Sequence, residues 1–226
     1  AVNATVLKNL TDTLGTPFTI NPDSSVNNGY PVFSWEITEY EFKGDGTSSS
    51  PYQIGTAEDL QHFATFVNDP YMNAKYGHAY YIQTADIDMS RVIWTSIGTE
   101  DNPFSGNFNG GYRSVTGLSN DASSTYGGLF GYCDDVSVKN LIVYGNITAN
   151  GSTGGIIGAA HENCVLDEVA FVGSVNGKDA GGLVGRLDGK ANIIQCYHNG
   201  SVKGTNAGGL VGTAQNTNQT TTETFF

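Results

Sequence analysis

A glycine-rich pentad that recurs at a fixed interval constrains this chain more than any other feature of its sequence. The pentad reads Gly-Gly, two apolar residues, then Gly. Its four copies are Gly127–Gly131, Gly154–Gly158, Gly181–Gly185 and Gly208–Gly212. Each copy begins 27 residues after the one before it. A fixed period of this length is typical of a solenoid, in which every repeat forms one coil.

The residues between the pentads repeat as well. Segments 138–147, 166–175 and 193–202 superpose without a gap, and they are β-rich runs cut by Gly and Asn. No apolar stretch of helical period separates them, so strands are favoured over helices. Three rows recur as apolar or nearly apolar positions: Val138/Leu166/Ile193, Leu141/Val169/Cys196 and Ile147/Val175/Val202. A fourth row, Val143/Phe171/His198, is apolar in two of its three members.

These patterns predict an all-β fold, a right-handed parallel β-helix from about Tyr80 to Gly212, with about three short strands in each coil. Stacked coils lie roughly 4.8 Å apart, so equivalent side chains form ladders. The right hand follows from the crossover rule for parallel strands. Glycine is expected at the corners because they need positive φ or a close approach of backbone.

A helix is predicted before the coils. Thr56 to Asp59 resembles a capping box, and Leu60, Phe63, Ala64 and Val67 follow at helical spacing. A β-helix exposes an open strand edge at each end unless something covers it. We therefore expect residues 57–68 to cap the N-terminal end, within a cap region 42–79 that precedes the β-helix of residues 80–226.

Residues 1–41 form a third predicted region, a helix followed by a strand. Asn3 is a suitable N-cap and Gly15 a suitable stop for an amphipathic helix. A turn-rich stretch follows it. The apolar residues of the region, which are our candidates for an assembly contact, are Leu7, Leu10, Leu14, Phe18, Tyr30, Phe33 and Trp35.

The pentads, together with a series of upstream segments, resemble the GLUG-repeat family of secreted and cell-surface bacterial proteins. The segments lie, in order, at 42–47, 51–60, 84–89, 94–98 and 104–111. The resemblance covers about residues 42–212 and implies a β-helix in an adhesin, a cell-wall-anchored array or a spacer of a larger enzyme. It is specific to architecture far more than to activity.

The resemblance also implies an unusual order of segments. In similar proteins, a helix followed by Asn-Gly-Tyr-Pro and a Trp closes the C-terminal end of the β-helix, whereas here this segment comes first. Residues 1–41 could fold back onto their own last coil or belong to a preceding unit of a cut array. Alternatively, they could dock on the open end of the next molecule, which would link subunits head to tail.

Composition favours an extracellular location and argues against two kinds of partner. The net charge is −12 with 14% charged residues, against about a quarter in average proteins. Nucleic acids and anionic membranes need clustered Lys or Arg, which the chain lacks. We expect no direct membrane insertion, because no apolar stretch approaches ~18 residues. The first residues lack the pattern of a signal peptide, so we expect any such peptide to have been removed or omitted.

The three cysteines do not share one ladder. They lie 6, 10 and 15 residues after the start of the preceding pentad, at Cys133, Cys164 and Cys196. Cys196 is predicted to fill the Leu141/Val169 row as a small hydrophobic residue, and the others to be unpaired. A Cys133–Cys164 bridge between adjacent coils is the alternative. No Cys-x-x-Cys pair is present, so zinc is not expected.

Titratable residues were weighed for catalysis, since a β-helix that cleaves polysaccharides would need clustered carboxylates and a nearby base. The pairs are Asp134 with Asp135, His161 with Glu162, Asp167 with Glu168, and Arg186 with Asp188. One row, Asp134/His161/Asp188, lies seven residues after the first glycine of each preceding pentad, and it is expected to form an outward ladder. We expect it to be polar corner surface, with no catalytic residue, metal or cofactor. Asp86 and Asp88 are expected to bond turns.

Two further kinds of surface residue bear on function. Tyr126, Tyr132, Tyr144 and Tyr197 could stack on sugars, although they do not form one ladder. Six N-x-Ser/Thr sequons lie at Asn3, Asn9, Asn146, Asn150, Asn199 and Asn218. The sequence thus predicts a non-catalytic extracellular surface or filament protein, adhesin-like, whose partner is a second copy or a neighbouring repeat. A glycan-binding or glycan-cleaving β-helix is the alternative.

Overall fold

A computed structural model of the chain describes residues 40–120 and 122–215, together with residues 18–19 and 32–33. The chain divides into two compact units, Ala1–Glu41 and Phe42–Phe226. In the first, strands β1 (Phe18–Thr19) and β2 (Val32–Phe33) pair in antiparallel order. The predicted helix between Asn3 and Gly15 lies outside the described residues.

The second unit is a parallel β-helix of about six coils with about 27 residues in each, as the pentads predict. Its early strands are β3 (Tyr52–Ile54), β4 (Tyr80–Gln83), β5 (Ile87–Asp88) and β6 (Asn107–Ser119). The next four are β7 (Tyr126–Gly127), β8 (Phe130–Thr148), β9 (Ser152–Gly154) and β10 (Ile157–Asn176). The last six are β11 (Asp179–Gly181), β12 (Val184–Leu187), β13 (Lys190–Ile194), β14 (Tyr197–Lys203), β15 (Asn206–Gly208) and β16 (Val211–Ala214).

Two helices lie at the N-terminal end, α1 (Ala57–Asn68) and α2 (Asn73–Tyr76). The bounds of α1 match the predicted helix. Its capping box is complete, because the Thr56 hydroxyl accepts from the Asp59 N–H at 3.0 Å and Asp59 Oδ2 accepts from the Thr56 N–H at 2.8 Å. The buried side of α1 consists of Leu60, Phe63, Ala64, Phe66 and Val67.

The apolar rows read from the sequence are stacked as expected. Val138 pairs with Leu166 and Leu166 with Ile193, and the other three rows align in the same way. The core changes character along the axis. Near α1 it is aromatic, with Phe63 stacked 3.7 Å from Tyr81 and Phe104 stacked 5.1 Å from Phe130. In the later coils it is mainly aliphatic.

The corners differ from expectation. In successive coils one corner has a non-glycine residue with positive φ: Tyr112, Asn140, Glu168 and Gln195, at 57°, 55°, 55° and 50°. A second corner has Asp135 and Glu162, at 52° and 56°. Among the described glycines, those with positive φ lie outside the pentads. At Asn140 and Glu168 the strand bends without ending, which is why β8 and β10 run through 19 and 20 residues where we predicted several short strands. At Gln195 the strand ends, between β13 and β14.

The pentad glycines allow other parts of the chain to approach the backbone closely. A Cβ on Gly155 would collide with the Phe171 ring, and one on Gly128 would lie 2.6 Å from the carbonyl oxygen of Phe130. Contacts below 3.0 Å are not tolerated without movement of the neighbour. Glycine therefore recurs in the pentads because neighbouring backbone segments approach closely there, and not because the pentads need positive φ.

Candidate functional site

The two ends of the β-helix differ. At the N-terminal end α1 covers the first coils, and Asn68 ties it to the coil below: its Nδ2 donates to the Ser96 carbonyl at 3.0 Å and its Oδ1 accepts from the Gly98 N–H at 2.7 Å. Leu60, Phe63 and Val67 have no exposed surface. The helix therefore covers the apolar core at this end. Among the described strands of the β-helix, the first, β3, pairs only with β4, and its Gln53 N–H donates to the Lys43 carbonyl at 2.8 Å.

The C-terminal end is open within the part of the chain that the structure describes. Strands β14, β15 and β16 each pair on one side only, with β10, β11 and β12. Two core rows end there. Leu183 and Val184 are fully buried, whereas their equivalents one coil later, Leu210 and Val211, are half-buried.

A glycine row marks the same end. In the earlier coils the next coil fills the space beside the second pentad glycine: a Cβ on Gly155 would lie 2.6 Å from the carbonyl oxygen of Gly182. A Cβ on Gly209, by contrast, would meet nothing within 4 Å. Edge backbone and uncovered apolar rows are the features that recruit another strand or another chain.

Of the candidate assembly residues, the structure describes only the backbone of Phe18 and Phe33, which are partners in the β1–β2 pair. Leu7, Leu10, Leu14, Tyr30 and Trp35 lie outside the described residues. Their role in assembly therefore stays a prediction.

The outward row predicted at the seven-residue offset is present. His161 pairs with Asp134, and its Nδ1 lies 3.4 Å from Asp134 Oδ1 and 3.9 Å from Glu162 Oε1. Asp188 follows in the next coil, where its N–H donates to the carbonyl oxygen of Ala160 at 2.9 Å. No group of three His, Cys, Asp or Glu within the described residues could hold a metal ion.

A second outward row lies two residues away, and the sequence analysis missed it. Tyr132, Ala159 and Arg186 are register partners in three successive coils. Arg186 Nε lies 2.7 Å from Asp188 Oδ2, and its guanidinium carbon lies 6.0 Å from the centre of the Tyr126 ring. The signal was available, because these three residues share a five-residue offset from their pentads.

Two of the four candidate tyrosines meet beside Arg186. The Tyr126 and Tyr132 rings lie 5.2 Å apart at 72°. The Tyr126 hydroxyl donates to Glu100 Oε2 at 3.0 Å, and burial together with this hydrogen bond raises the pKa of Tyr126. Tyr144 and Tyr197 are 41% and 48% exposed and lie in separate rows, as predicted.

The remaining carboxylates are used within the fold. Asp86 Oδ1 accepts from the N–H and the hydroxyl of Ser114 at 2.8 and 3.1 Å, and Asp88 Oδ1 accepts from the Ser90 N–H at 2.9 Å. Asp135 Oδ1 accepts from Asn163 Nδ2 at 2.6 Å. Asp88 therefore bonds a turn, as expected, whereas Asp86 bonds β6 in the next coil.

All three cysteines are buried free thiols, so the alternative of a Cys133–Cys164 bridge is wrong. The reason is register: Cys133 faces Ala160 and Cys164 faces Val136, so the two lie in different rows. Cys196 occupies the Leu141/Val169 row as predicted, and its Sγ donates to the Ile194 carbonyl at 3.1 Å.

Three of the six predicted glycosylation sequons fall on described residues, at Asn146, Asn150 and Asn199, and all three are exposed. Asn146 Oδ1 accepts from the Ser174 hydroxyl at 2.6 Å. Asn3, Asn9 and Asn218 lie outside the described residues. Whether any of the six carries a glycan stays a prediction.

No protein-family model matches the chain, so the GLUG family remains a resemblance. The chain is 33% identical over 118 residues to a protein of Evansella cellulosilytica named "Putative Gly-rich membrane protein", covering 48% of this chain and 13% of that protein. Within the described residues, no helix is long and apolar enough to cross a membrane.

Among solved structures, the chain is similar to a "putative immunoglobulin A1 protease" from Bacteroides ovatus. The TM-score is 0.43 with 22% sequence identity, over 79% of this chain and 66% of that chain. A likeness of this extent does not bear on activity. This chain thus spans less than two thirds of the length of either relative.

Proposed function

We propose that this protein is a non-catalytic, adhesin-like structural protein of an extracellular surface, and that its copies assemble head to tail through residues 1–41. The observation that carries the proposal is the asymmetry of the β-helix: a packed helix covers the apolar core at one end, whereas the last described coil leaves strand edges and the half-buried Leu210 and Val211 uncovered. An open end of this kind accepts an added strand.

The donor in this proposal is residues 1–41, a compact unit separate from the β-helix. The segment has a predicted amphipathic helix and two short strands, and the GLUG resemblance assigns such a segment to the closure of a C-terminal end. A contact between unlike surfaces of identical copies need not close on itself, and it then generates filaments. Residues 1–41 and the open end are unlike surfaces of this kind.

An extracellular surface location agrees with the low content of charged residues and with the name of the Evansella relative, "Putative Gly-rich membrane protein". Membership of the GLUG family belongs to the same proposal. The absence of catalysis is supported by the way in which the carboxylates are used, since Asp86, Asp88 and Asp135 bond neighbouring strands and turns.

A mixing experiment on the full-length chain tests head-to-tail assembly. The donor variant carries Leu10→Asp and Trp35→Ala. The acceptor variant carries Gly209→Lys, at a position whose Cβ would meet none of the described residues within 4 Å. By light scattering and negative-stain imaging, the wild-type protein should form strings and each variant alone should stay monomeric. An equimolar mixture should form dimers only, because it contains one working donor and one working acceptor.

The matched control is Ile93→Asp, at a residue that is 81% exposed away from the last coil. It should assemble as the wild type does. A wild-type chain that stays monomeric at all concentrations would overturn the head-to-tail contact, because residues 1–41 would then close their own coil or remain unengaged. Strings that persist in both variants would place the contact elsewhere on the surface.

A second function, glycan binding, is favoured by one observation, the meeting of Tyr126, Tyr132 and Arg186 on one outward face. It is compatible with a structural role, since a surface protein can both assemble and bind.

A further inference from the structure

We infer that the outward face formed by Tyr126, Tyr132, Arg186, Asp188 and His161 is a binding site for a neutral carbohydrate. We call it the tyrosine–arginine face. It lies on the side of the coils and reaches the coil next to the last described one, where Arg186 pairs with Thr213. Assembly is proposed on the end of the stack, a different surface, and the inference does not depend on that proposal.

The rows of the β-helix build the face. Tyr132 and Arg186 are separated by the small, fully buried Ala159, and the neighbouring row places His161 between Asp134 and Asp188. Successive coils lie about 4.8 Å apart, so the face extends about 10 Å along the axis. Strands hold Tyr126, Tyr132, His161 and Arg186, and Asp188 directly follows β12, which limits the entropy lost when a ligand binds.

The aromatic part suits a sugar ring. Tyr126 and Tyr132 are half-buried and stand at 72° to one another, so they present ring surface in two directions. Arg186 packs against the Tyr126 ring and the Tyr126 hydroxyl is bonded to Glu100, and both contacts restrain that ring. Rigid, amphipathic rings of this kind supply contact area at low conformational cost.

The polar part suits hydroxyl groups. A sugar hydroxyl is both donor and acceptor, and it therefore needs neighbours of both kinds. Arg186 supplies donors, whereas Asp134, Asp188 and Glu100 supply acceptors, and His161 can act as either. The guanidinium is held by Asp188 at 2.7 Å, which fixes the direction of its remaining N–H groups.

Charge selects a neutral ligand. Arg186 is the guanidinium cation of the face, and four carboxylates contact residues of the face: Glu100, Asp134, Glu162 and Asp188. With a net charge of −12 on the chain, a uronic or sialic acid polymer would be repelled. The size of the face favours a sugar over a protein partner, because a stable protein interface needs about 800 Å² on each side.

Titration calorimetry on the full-length chain tests the inference, with mannohexaose, cellohexaose and maltohexaose as neutral probes and hexagalacturonate as the acidic probe. At least one neutral hexamer should bind, and the acidic one should not. Tyr132→Leu, which keeps apolar bulk but removes the flat ring, should weaken binding by about tenfold or more. Tyr197→Leu, at an exposed tyrosine in another row, should leave affinity unchanged.

A charge variant sharpens the test. Asp188→Asn removes the carboxylate that neutralises Arg186, and it should therefore raise the affinity for hexagalacturonate. A wild-type chain that binds none of the three neutral hexamers would overturn the inference. Equal losses of sugar affinity in Tyr132→Leu and Tyr197→Leu would also overturn it. A third contrary result would be that Tyr132 is needed to bind a protein ligand and is not needed to bind any sugar. Circular dichroism of each variant confirms that the coils are intact.

Discussion

Gly182 lies directly against the carbonyl oxygen of Gly209, one coil further along the chain, so closely that an alanine Cβ at Gly182 would overlap that oxygen. The two glycines are equivalent in sequence, yet Gly209 has nothing within 4 Å of its own Cβ position. The same residue in the same repeat thus meets a different constraint at the open end.

Alanine at these two positions should have unequal effects. Gly182→Ala is expected to lower the free energy of unfolding by about 1–3 kcal/mol, because backbone must shift to admit the methyl group. Gly209→Ala should change it by no more than about 0.5 kcal/mol. Urea unfolding followed by circular dichroism measures both. Equal losses would show that Gly209 also packs against a neighbouring segment.

The left-handed corners predict a second pair of effects. Gln195 is exposed and has a φ of 50°, a conformation that a β-branched residue adopts only with strain. Gln195→Val should therefore lower the free energy of unfolding by about 1 kcal/mol or more. Asn192→Val, three residues earlier in β13, provides the control and should be neutral or stabilising. Two similar results in urea unfolding would contradict the assigned corner.

The thiols should be unreactive in the folded chain. Burial raises the pKa of Cys164 to about 12 and that of Cys196 to about 11, and it also raises the pKa of Cys133. The thiolate is the reactive form. A thiol reagent such as DTNB at pH 8 should therefore label none of them quickly, and all three after denaturation. Thr205→Cys, at an exposed corner, is the positive control. Fewer than three thiols after unfolding would indicate a disulfide.

Removal of the helix cap should weaken the helix-covered end. Thr56→Ala deletes the acceptor for the Asp59 N–H and should lower the free energy of unfolding by about 1 kcal/mol. Thr56→Ser keeps the hydroxyl and should retain most of the stability. The urea midpoint distinguishes them, and an equal loss in both variants would show that the methyl group of Thr56 matters more than its hydrogen bond.

Acid should weaken the early coils. The hydrogen bonds from Ser114 lower the pKa of Asp86, and those from Ser90 lower the pKa of Asp88, below the ordinary value of 3.8. The stability that a carboxylate with a lowered pKa contributes is present above its ordinary pKa and is lost as the pH falls through the lowered value. The urea midpoint should therefore fall below about pH 4, and less steeply in the Asp86→Asn/Asp88→Asn variant. Identical pH profiles would contradict the assignment.

The repeat made much of the fold predictable. Superposition of the segments that follow the pentads identified the stacked apolar rows and the position of Cys196. A constant offset from the pentads identified the outward row of Asp134, His161 and Asp188. The bounds of α1 followed from a capping box and helical spacing. These features depend on local sequence or on neighbours exactly one repeat away, and both can be read along the chain.

Other features could not be read in this way. A one-residue register shift between His161 and Cys164 separates the 27-residue and 28-residue spacings. Left-handed corners fell on Asn140, Glu168 and Gln195, which have no glycine beside them in the sequence. The meeting of Tyr126 with Arg186 joins different rows two coils apart, which depends on side-chain direction.

The sequence by itself determined that the chain forms a stacked parallel β-helix with a helical cap, because a fixed repeat places each apolar position above its equivalent. Only the tertiary structure decided which side chains meet across rows, where the backbone turns left-handed, and how far the last described coil leaves Leu210 and Val211 uncovered. The physical reason is that backbone pairing repeats with the sequence, whereas side-chain contacts across rows and exposure at an end depend on neighbours that the repeat does not specify.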